Sequence, residues 1–208
     1  MPIRHHSSAP PPPLPSGYAQ LEYIESTGTQ YINTNIVPSN THTKVTADIQ
    51  FTTVTPNETK MPFGVNRNGR YFMLVLYSDS RFQMNCGVSG STLDLFVTTA
   101  TTDRTIIMLE KNQNIYNAQG FGVSLSGTCG SISGITQPDN ICLFARCSNN
   151  NITNKIAMKL YHCQMALNGN IVREYYPALR ISDSKPGLYD LAGGIFYTNA
   201  GSGDFLYG

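Results

Sequence analysis

Apolar residues in this chain recur at every second position, a spacing that strands satisfy and helices do not. Val45, Ala47, Ile49 and Phe51 alternate with Thr46, Asp48, Gln50 and Thr52. Phe82, Met84 and Cys86 alternate with Arg81, Gln83 and Asn85. Successive strand side chains point to opposite faces, so each pattern predicts one buried face and one wet face. Residues 71–77, Tyr-Phe-Met-Leu-Val-Leu-Tyr, are apolar throughout, which predicts a strand covered on both sides. Residues 141–146 form another buried run. No window carries sustained i, i+3, i+4 apolar spacing of useful length, so helices are not expected.

Turn chemistry separates these runs. Asn168-Gly169 is the strongest hairpin signal, with residues 171–176 as the returning strand. Ser78-Asp79-Ser80 and Asn112-Gln113-Asn114 predict two further hairpins. Residues 156–165 change phase: Ile156, Met158 and Leu160 share one face, whereas Tyr161, Cys163 and Met165 share the other. One extra residue near Leu160, a β-bulge, reconciles them. Many short strands punctuated by turns predict a two-sheet antiparallel sandwich. At 208 residues, one large all-β domain is expected.

Composition excludes several functions. Charged residues are 13% of the chain and the net charge is +1, so no field draws it onto nucleic acid or anionic lipid. No apolar run reaches the length of a membrane span, and none near Met1 resembles a secretory signal, so synthesis in a cytoplasm is expected. The five cysteines, Cys86, Cys129, Cys142, Cys147 and Cys163, are odd in number and lack C-x-x-C spacing. They are expected to be reduced, buried small hydrophobes, with one bridge among Cys129, Cys142 and Cys147 left open.

The two ends of the chain carry a more specific signal. Residues 18–32 read Tyr-Ala-Gln-Leu-Glu-Tyr-Ile-Glu-Ser-Thr-Gly-Thr-Gln-Tyr-Ile. Near the other end stand Gly187-Leu188-Tyr189-Asp190, Phe196-Tyr197-Thr198-Asn199 and Gly201-Ser202-Gly203-Asp204-Phe205. Together they resemble the laminin-G-like, concanavalin-A-like jelly-roll domains of phage tail, fibre and head-decoration proteins and of gut-bacterial surface proteins. The resemblance implies an all-β, antiparallel two-sheet jelly-roll sandwich over residues 18–208, with its first and last motifs side by side. Tyr23, Tyr31, Tyr189, Phe196 and Tyr197 fall in those motifs, where packing is the simpler role.

Catalysis finds no footing in the sequence. Glycoside hydrolysis needs two carboxyl groups about 5–10 Å apart, and no Glu-x-Asp or Asp-x-Glu pair lies in an expected strand. His162 and Cys163 are adjacent, so a strand would point them to opposite faces. No glycine-rich phosphate loop leads into a helix. Asp79, Asp94, Asp103, Asp139 and Asp183 lie near turns but form no D-x-D cluster. The chain is therefore read as a non-enzyme with no cofactor and no metal.

Two loops are candidate contact surfaces. Asn66-Arg67-Asn68-Gly69-Arg70 followed by Tyr71 gathers guanidiniums, amides and a ring; Asn149, Asn150 and Asn151 form a polar tip. Each is either an ordinary solvated turn or a rim for a glycan or protein. Residues 1–17 differ in texture. Pro10, Pro11, Pro12 and Pro13, followed by Leu14, predict an extended polyproline arm with Arg4 near its tip. The arm is either a passive leader or a docking segment. The leading functional expectation is a structural or accessory protein of a phage virion, made in the host cytoplasm and attached to other virion proteins by this arm. Weak adhesion to host or mucosal glycans and self-association would accompany it; no nucleic acid and no membrane insertion are expected. The alternative is a carbohydrate-binding module or adhesin of a gut bacterium, at the cell surface or secreted.

Overall fold

The alternating segment around Val45 forms a ten-residue strand, His42–Phe51, in which Thr43, Val45, Ala47, Ile49 and Phe51 are all buried. This computed structural model describes residues 12–89 and 95–208, giving only the backbone for residues 95–97. In chain order the strands are β1 (Tyr18–Gln20), β2 (Ile24–Thr27), β3 (Ile32–Asn33), β4 (His42–Phe51), β5 (Lys60–Arg67), β6 (Arg70–Leu76) and β7 (Arg81–Val88). Next come β8 (Leu95–Thr99), β9 (Thr105–Asn112), β10 (Ile115–Gly120), β11 (Val123–Thr128), β12 (Cys142–Leu143) and β13 (Arg146–Ser148). The chain finishes with β14 (Asn151–Thr153), β15 (Ala157–Leu167), β16 (Asn170–Arg180), β17 (Lys185–Asp190), β18 (Ile195–Thr198) and β19 (Leu206–Tyr207). No helix occurs among the described residues.

These strands make an all-β jelly-roll-like sandwich. One sheet, here called sheet A, runs β11-β10-β9-β4-β15-β16-β17-β18, with β1 on β16 and β2 bridging β15 and β19. The other, sheet B, runs β14-β13-β5-β6-β7-β8, with β12 joining β5 to β3. Their inner faces enclose one continuous core from Ile24 to Phe205. The β-bulge expected near Leu160 is present: the register of β15 on β4 shifts between Leu160 and His162. Cys163 accordingly points into the core and His162 away from it. Asn168 and Gly169, with φ of 51° and 83°, close the β15–β16 hairpin in the left-handed conformations that such a turn requires.

Residues 141–145 are buried as expected, but the run is not one strand. Phe144 adopts φ of 63°, and the chain reverses there. β12 therefore pairs antiparallel with β5, whereas β13 pairs parallel with it, the one parallel pairing among the described strands. The strained residue is held firmly. Its ring is fully buried against Phe205 at 5.1 Å, its N–H donates to the Pro62 carbonyl, and its carbonyl accepts from Ile156 N–H.

The two terminal motifs lie together. The Tyr31 N–H donates to Asn199 Oδ1 at 3.0 Å, and Gln30 Nε2 donates to the Asp204 carbonyl at 3.0 Å. The Tyr18 ring packs on Tyr189 and Phe196 with centroids 4.7 and 5.1 Å away. Of the arm, Arg4, Pro10 and Pro11 lie outside the described residues; Pro12 and Pro13 are exposed and Leu14 is half-buried.

Candidate functional site

β6 is buried on both faces from Phe72 to Leu76, as expected, and its inner residues, Phe72, Leu74 and Leu76, join the main core. Met73 and Val75 point outward and form a separate cluster with Met61, flanked by Tyr71 and Tyr77. Met73 is 3% exposed because these neighbours cover it. The cluster floors a groove of about 620 Å³ on the outer face of sheet B. Its polar walls are Thr59, Asn85, Ser89, Arg146 and Asn154.

Register explains why a groove forms here. Residues paired across adjacent strands share a face. Met73 pairs with Gly64 on β5 and Asn85 on β7, and Arg146 on β13 pairs with Gly64 from the other side. A side chain at Gly64 would stand between Met73 and Arg146, and its Cβ would lie only 2.4 Å from that of Met73. Glycine keeps the centre of the face open.

Arg146 gives the groove its charge. Its guanidinium is half-buried, and burial pushes its pKa below the ordinary arginine value, with Tyr71 opposing. Nε donates to Thr153 Oγ1 at 3.3 Å. Among the described residues no carboxylate lies within 4 Å of it. A partly desolvated guanidinium that lacks a carboxylate favours an anion, ideally a planar one that takes two parallel N–H bonds.

A second groove, on the outer face of sheet A, shows the contrast. Arg104, Asp48, Tyr161, His162 and Tyr176 are among its lining residues, within about 490 Å³. There Arg104 is already committed: it donates to both Asp48 oxygens at 3.0 and 2.9 Å and lies 3.7 Å over the Tyr161 ring. Burial lowers the pKa of His162, favouring its neutral form. The groove on sheet A satisfies its cation internally; the groove on sheet B leaves one to be satisfied.

The two loops singled out in the sequence meet at one end of sheet B. Asn66 pairs in register with Ser148, and its Nδ2 donates to Ser148 Oγ at 3.3 Å. Asn68 N–H donates to Asn149 Oδ1 at 3.0 Å, and Asn151 Nδ2 to the Asn149 carbonyl. Arg67 is held by Asp139, whose fully buried carboxylate also accepts from Asn150 N–H at 2.5 Å and from the Cys147 thiol. Burial raises the Asp139 pKa, but these bonds outweigh it and hold the carboxyl below the usual aspartate value. Arg70 lies against Gly134, where an added Cβ would touch its Nε at 2.5 Å. Of the eight loop residues, Tyr71 alone lines the groove. Sequence reasoning missed Arg146, Asn85, Asn154 and Tyr77. The one signal for Arg146 was a lone cation ending a five-residue apolar run.

Among the described residues, no group of three or more His, Cys, Asp or Glu side chains could hold a metal ion. No helix among them is long and apolar enough to cross a membrane.

No family model and no curated protein matches the chain. Solved structures do. The carbohydrate-binding module CBM40 of the Ruminococcus gnavus IT-sialidase, bound to α2,3-sialyllactose, superposes with a TM-score of 0.56 at 14% identity, covering 74% of this chain and 92% of that one. A second structure of that module gives 0.55 at 15% identity, covering 71% and 90%. A structure of NanB plus Optactamide gives 0.53 at 11% identity, with 74% of this chain and 26% of that one covered. At these identities the likeness establishes a shared β-sandwich fold.

Proposed function

We propose that this protein is a non-enzymatic carbohydrate-binding module that takes an acidic sugar into the groove on sheet B. The observation that carries the reading is Arg146, a half-buried guanidinium without a carboxylate partner, set beside a ring-bearing apolar floor. Tyr71 and Tyr77 supply faces on which the apolar side of a sugar ring packs. Arg146 takes the sugar's carboxylate through paired N–H bonds, which neutral hexoses cannot accept in the same way. Asn85, Asn154 and Ser89 ring the floor with amide and hydroxyl groups suited to sugar hydroxyls. The joined loops 66–71 and 148–151 form a rim at one end. Support also comes from the like-folded CBM40, which is bound to a sialylated glycan.

On this reading the protein works at a cell surface or after secretion. One shallow site binds weakly, so display in several copies would supply avidity. The virion reading draws on the terminal motifs, the lack of a secretory-type stretch, the unpaired cysteines and the proline-rich arm, and the structural neighbours add nothing to it.

The test is calorimetric titration with α2,3-sialyllactose against lactose. The wild-type chain is expected to prefer the acidic sugar, and Arg146→Ala to weaken it by about 10–100-fold, the loss of a charged hydrogen-bonding partner. Arg104→Ala, on the opposite sheet, is expected to leave affinity unchanged. Equal binding of the two sugars, or an Arg146→Ala variant with wild-type affinity, would overturn the proposal.

A further inference from the structure

All five cysteines are free and buried, but two of them face each other across the sandwich. The Cys86 thiol, on β7 of sheet B, donates to Cys129 Sγ at 3.6 Å; Cys129 follows β11 of sheet A. The approach is built into the backbone. Gly87, at φ of 117°, lies so close to the segment following β11 that an added Cβ would meet Gly130 N at 2.8 Å and Cys129 Cβ at 3.5 Å. Cys129 is fixed in turn by its N–H, which donates to the Asn114 carbonyl at 2.8 Å.

A buried cation lies beside this pair. Lys111 is 1% exposed, and its ammonium donates to the carbonyls of Asn40 and Gln113. No carboxylate lies within 4 Å of it among the described residues. Burying an ammonium with only neutral partners is costly, so a thiolate nearby relieves it. Lys111 and Cys129 both line a pocket of about 430 Å³ that gives a small molecule a way in.

We infer that Cys86 and Cys129 are a thiol pair that closes to a disulfide stapling sheet A to sheet B when a low-molecular-weight disulfide reaches the pocket at Cys129. The chemistry runs in two exchanges. The Cys129 thiolate attacks one sulfur of the small disulfide RSSR and expels RS⁻, leaving a mixed disulfide at Cys129. Cys86 then gives up its proton, and its sulfur attacks the Cys129 sulfur and expels the second RS⁻. Both leaving groups are protonated by the two protons the protein thiols lose. The balance is two protein thiols plus RSSR giving one protein disulfide plus two RSH; the protein is oxidised and the small disulfide reduced.

The asymmetry of the pair assigns the roles. The hydrogen bond from Cys86 and the nearby Lys111 ammonium bring the Cys129 thiol down to about 7 against its desolvation, making it the attacking group. The same hydrogen bond, together with burial, pushes the Cys86 thiol up, so it waits protonated. Once Cys129 is consumed its charge is gone, and that part of the restraint on Cys86 goes with it. No part of this depends on the glycan reading.

The experiment uses the full reduced chain exposed to oxidised glutathione, with thiol counting and non-reducing peptide mapping. Expected are the loss of two thiols, one cross-linked peptide joining Cys86 to Cys129, and a Tm rise on the order of 10 °C for a loop of this span. The rate should increase with pH through about 7. Cys86→Ser should instead trap glutathione on Cys129, a readout that does not need the staple. Wild-type protein whose Cys86 and Cys129 both remain alkylatable in excess disulfide, or which pairs Cys142 with Cys147 instead, would overturn the inference.

Discussion

Asp139 shows how little a sequence discloses about a single side chain. It looks like one more aspartate near a turn, yet it is fully buried and joins two loops: Arg67 on one side, Asn150 and Cys147 on the other. Its carboxyl is held below the usual value in the folded state. The stability it adds is complete above the unfolded-state value of about 3.9 and drains away as pH falls through the lower folded value. Asp139→Asn is expected to cost about 2–4 kcal/mol at neutral pH, because Arg67 loses its counter-charge. Urea denaturation should show that cost in full at pH 7 and a difference that shrinks as pH is lowered below about 4. Arg67 and Arg146 are chemically identical in the sequence. The structure separates them through a partner 72 residues from Arg67 in one case and the absence of a carboxylate in the other.

Whole strands were easier to read than single residues, because periodicity averages over many positions. The burial alternation of β4 and the bulge in β15 follow from residue spacing alone. β6 is buried on both faces as expected, but an apolar face that floors a groove and one that lies in a core look alike in composition. Composition cannot distinguish them; only the neighbours of Met73 and Val75 do. Gly64 is the hidden determinant, since its role appears only once β13 and β6 flank β5. Gly64→Ala is expected to abolish measurable glycan binding and to destabilise by about 1–3 kcal/mol through overpacking on Met73. Adding Met73→Ala should recover little of that stability, because alanine keeps the Cβ that the new methyl would meet at 2.4 Å. Thermal melts and the sialyllactose titration separate the two effects.

At the scale of the molecule, the resemblance of the terminal motifs supplied the topology that spacing could not. Phe205 is 2% exposed and packs on Phe144 at the chain reversal, so the last motif helps hold the irregular centre of sheet B. Phe205→Ala should therefore cost about 3–5 kcal/mol. Removing residues 2–16, by contrast, should shift stability by no more than about 0.5 kcal/mol, because the first strand begins at Tyr18. Chemical denaturation of the two variants in parallel checks both. A large loss on removing the arm would mean that the sandwich needs it to fold.

The interlock of the two end motifs has a topological consequence. The Glu22 N–H donates to the Gly208 carbonyl at 2.6 Å, so the point where the chain enters the fold and the point where it leaves are neighbours. A short linker from residue 208 to residue 18 would close the sandwich itself into a ring, since short closures of adjacent points cost little entropy. New termini could then be opened at the exposed Asn168-Gly169 turn, moving the ends to the opposite end of the β15–β16 hairpin without breaking a strand. By the same geometry the sandwich can be spliced into a surface loop of a larger protein as a bead whose thread enters and leaves at one point.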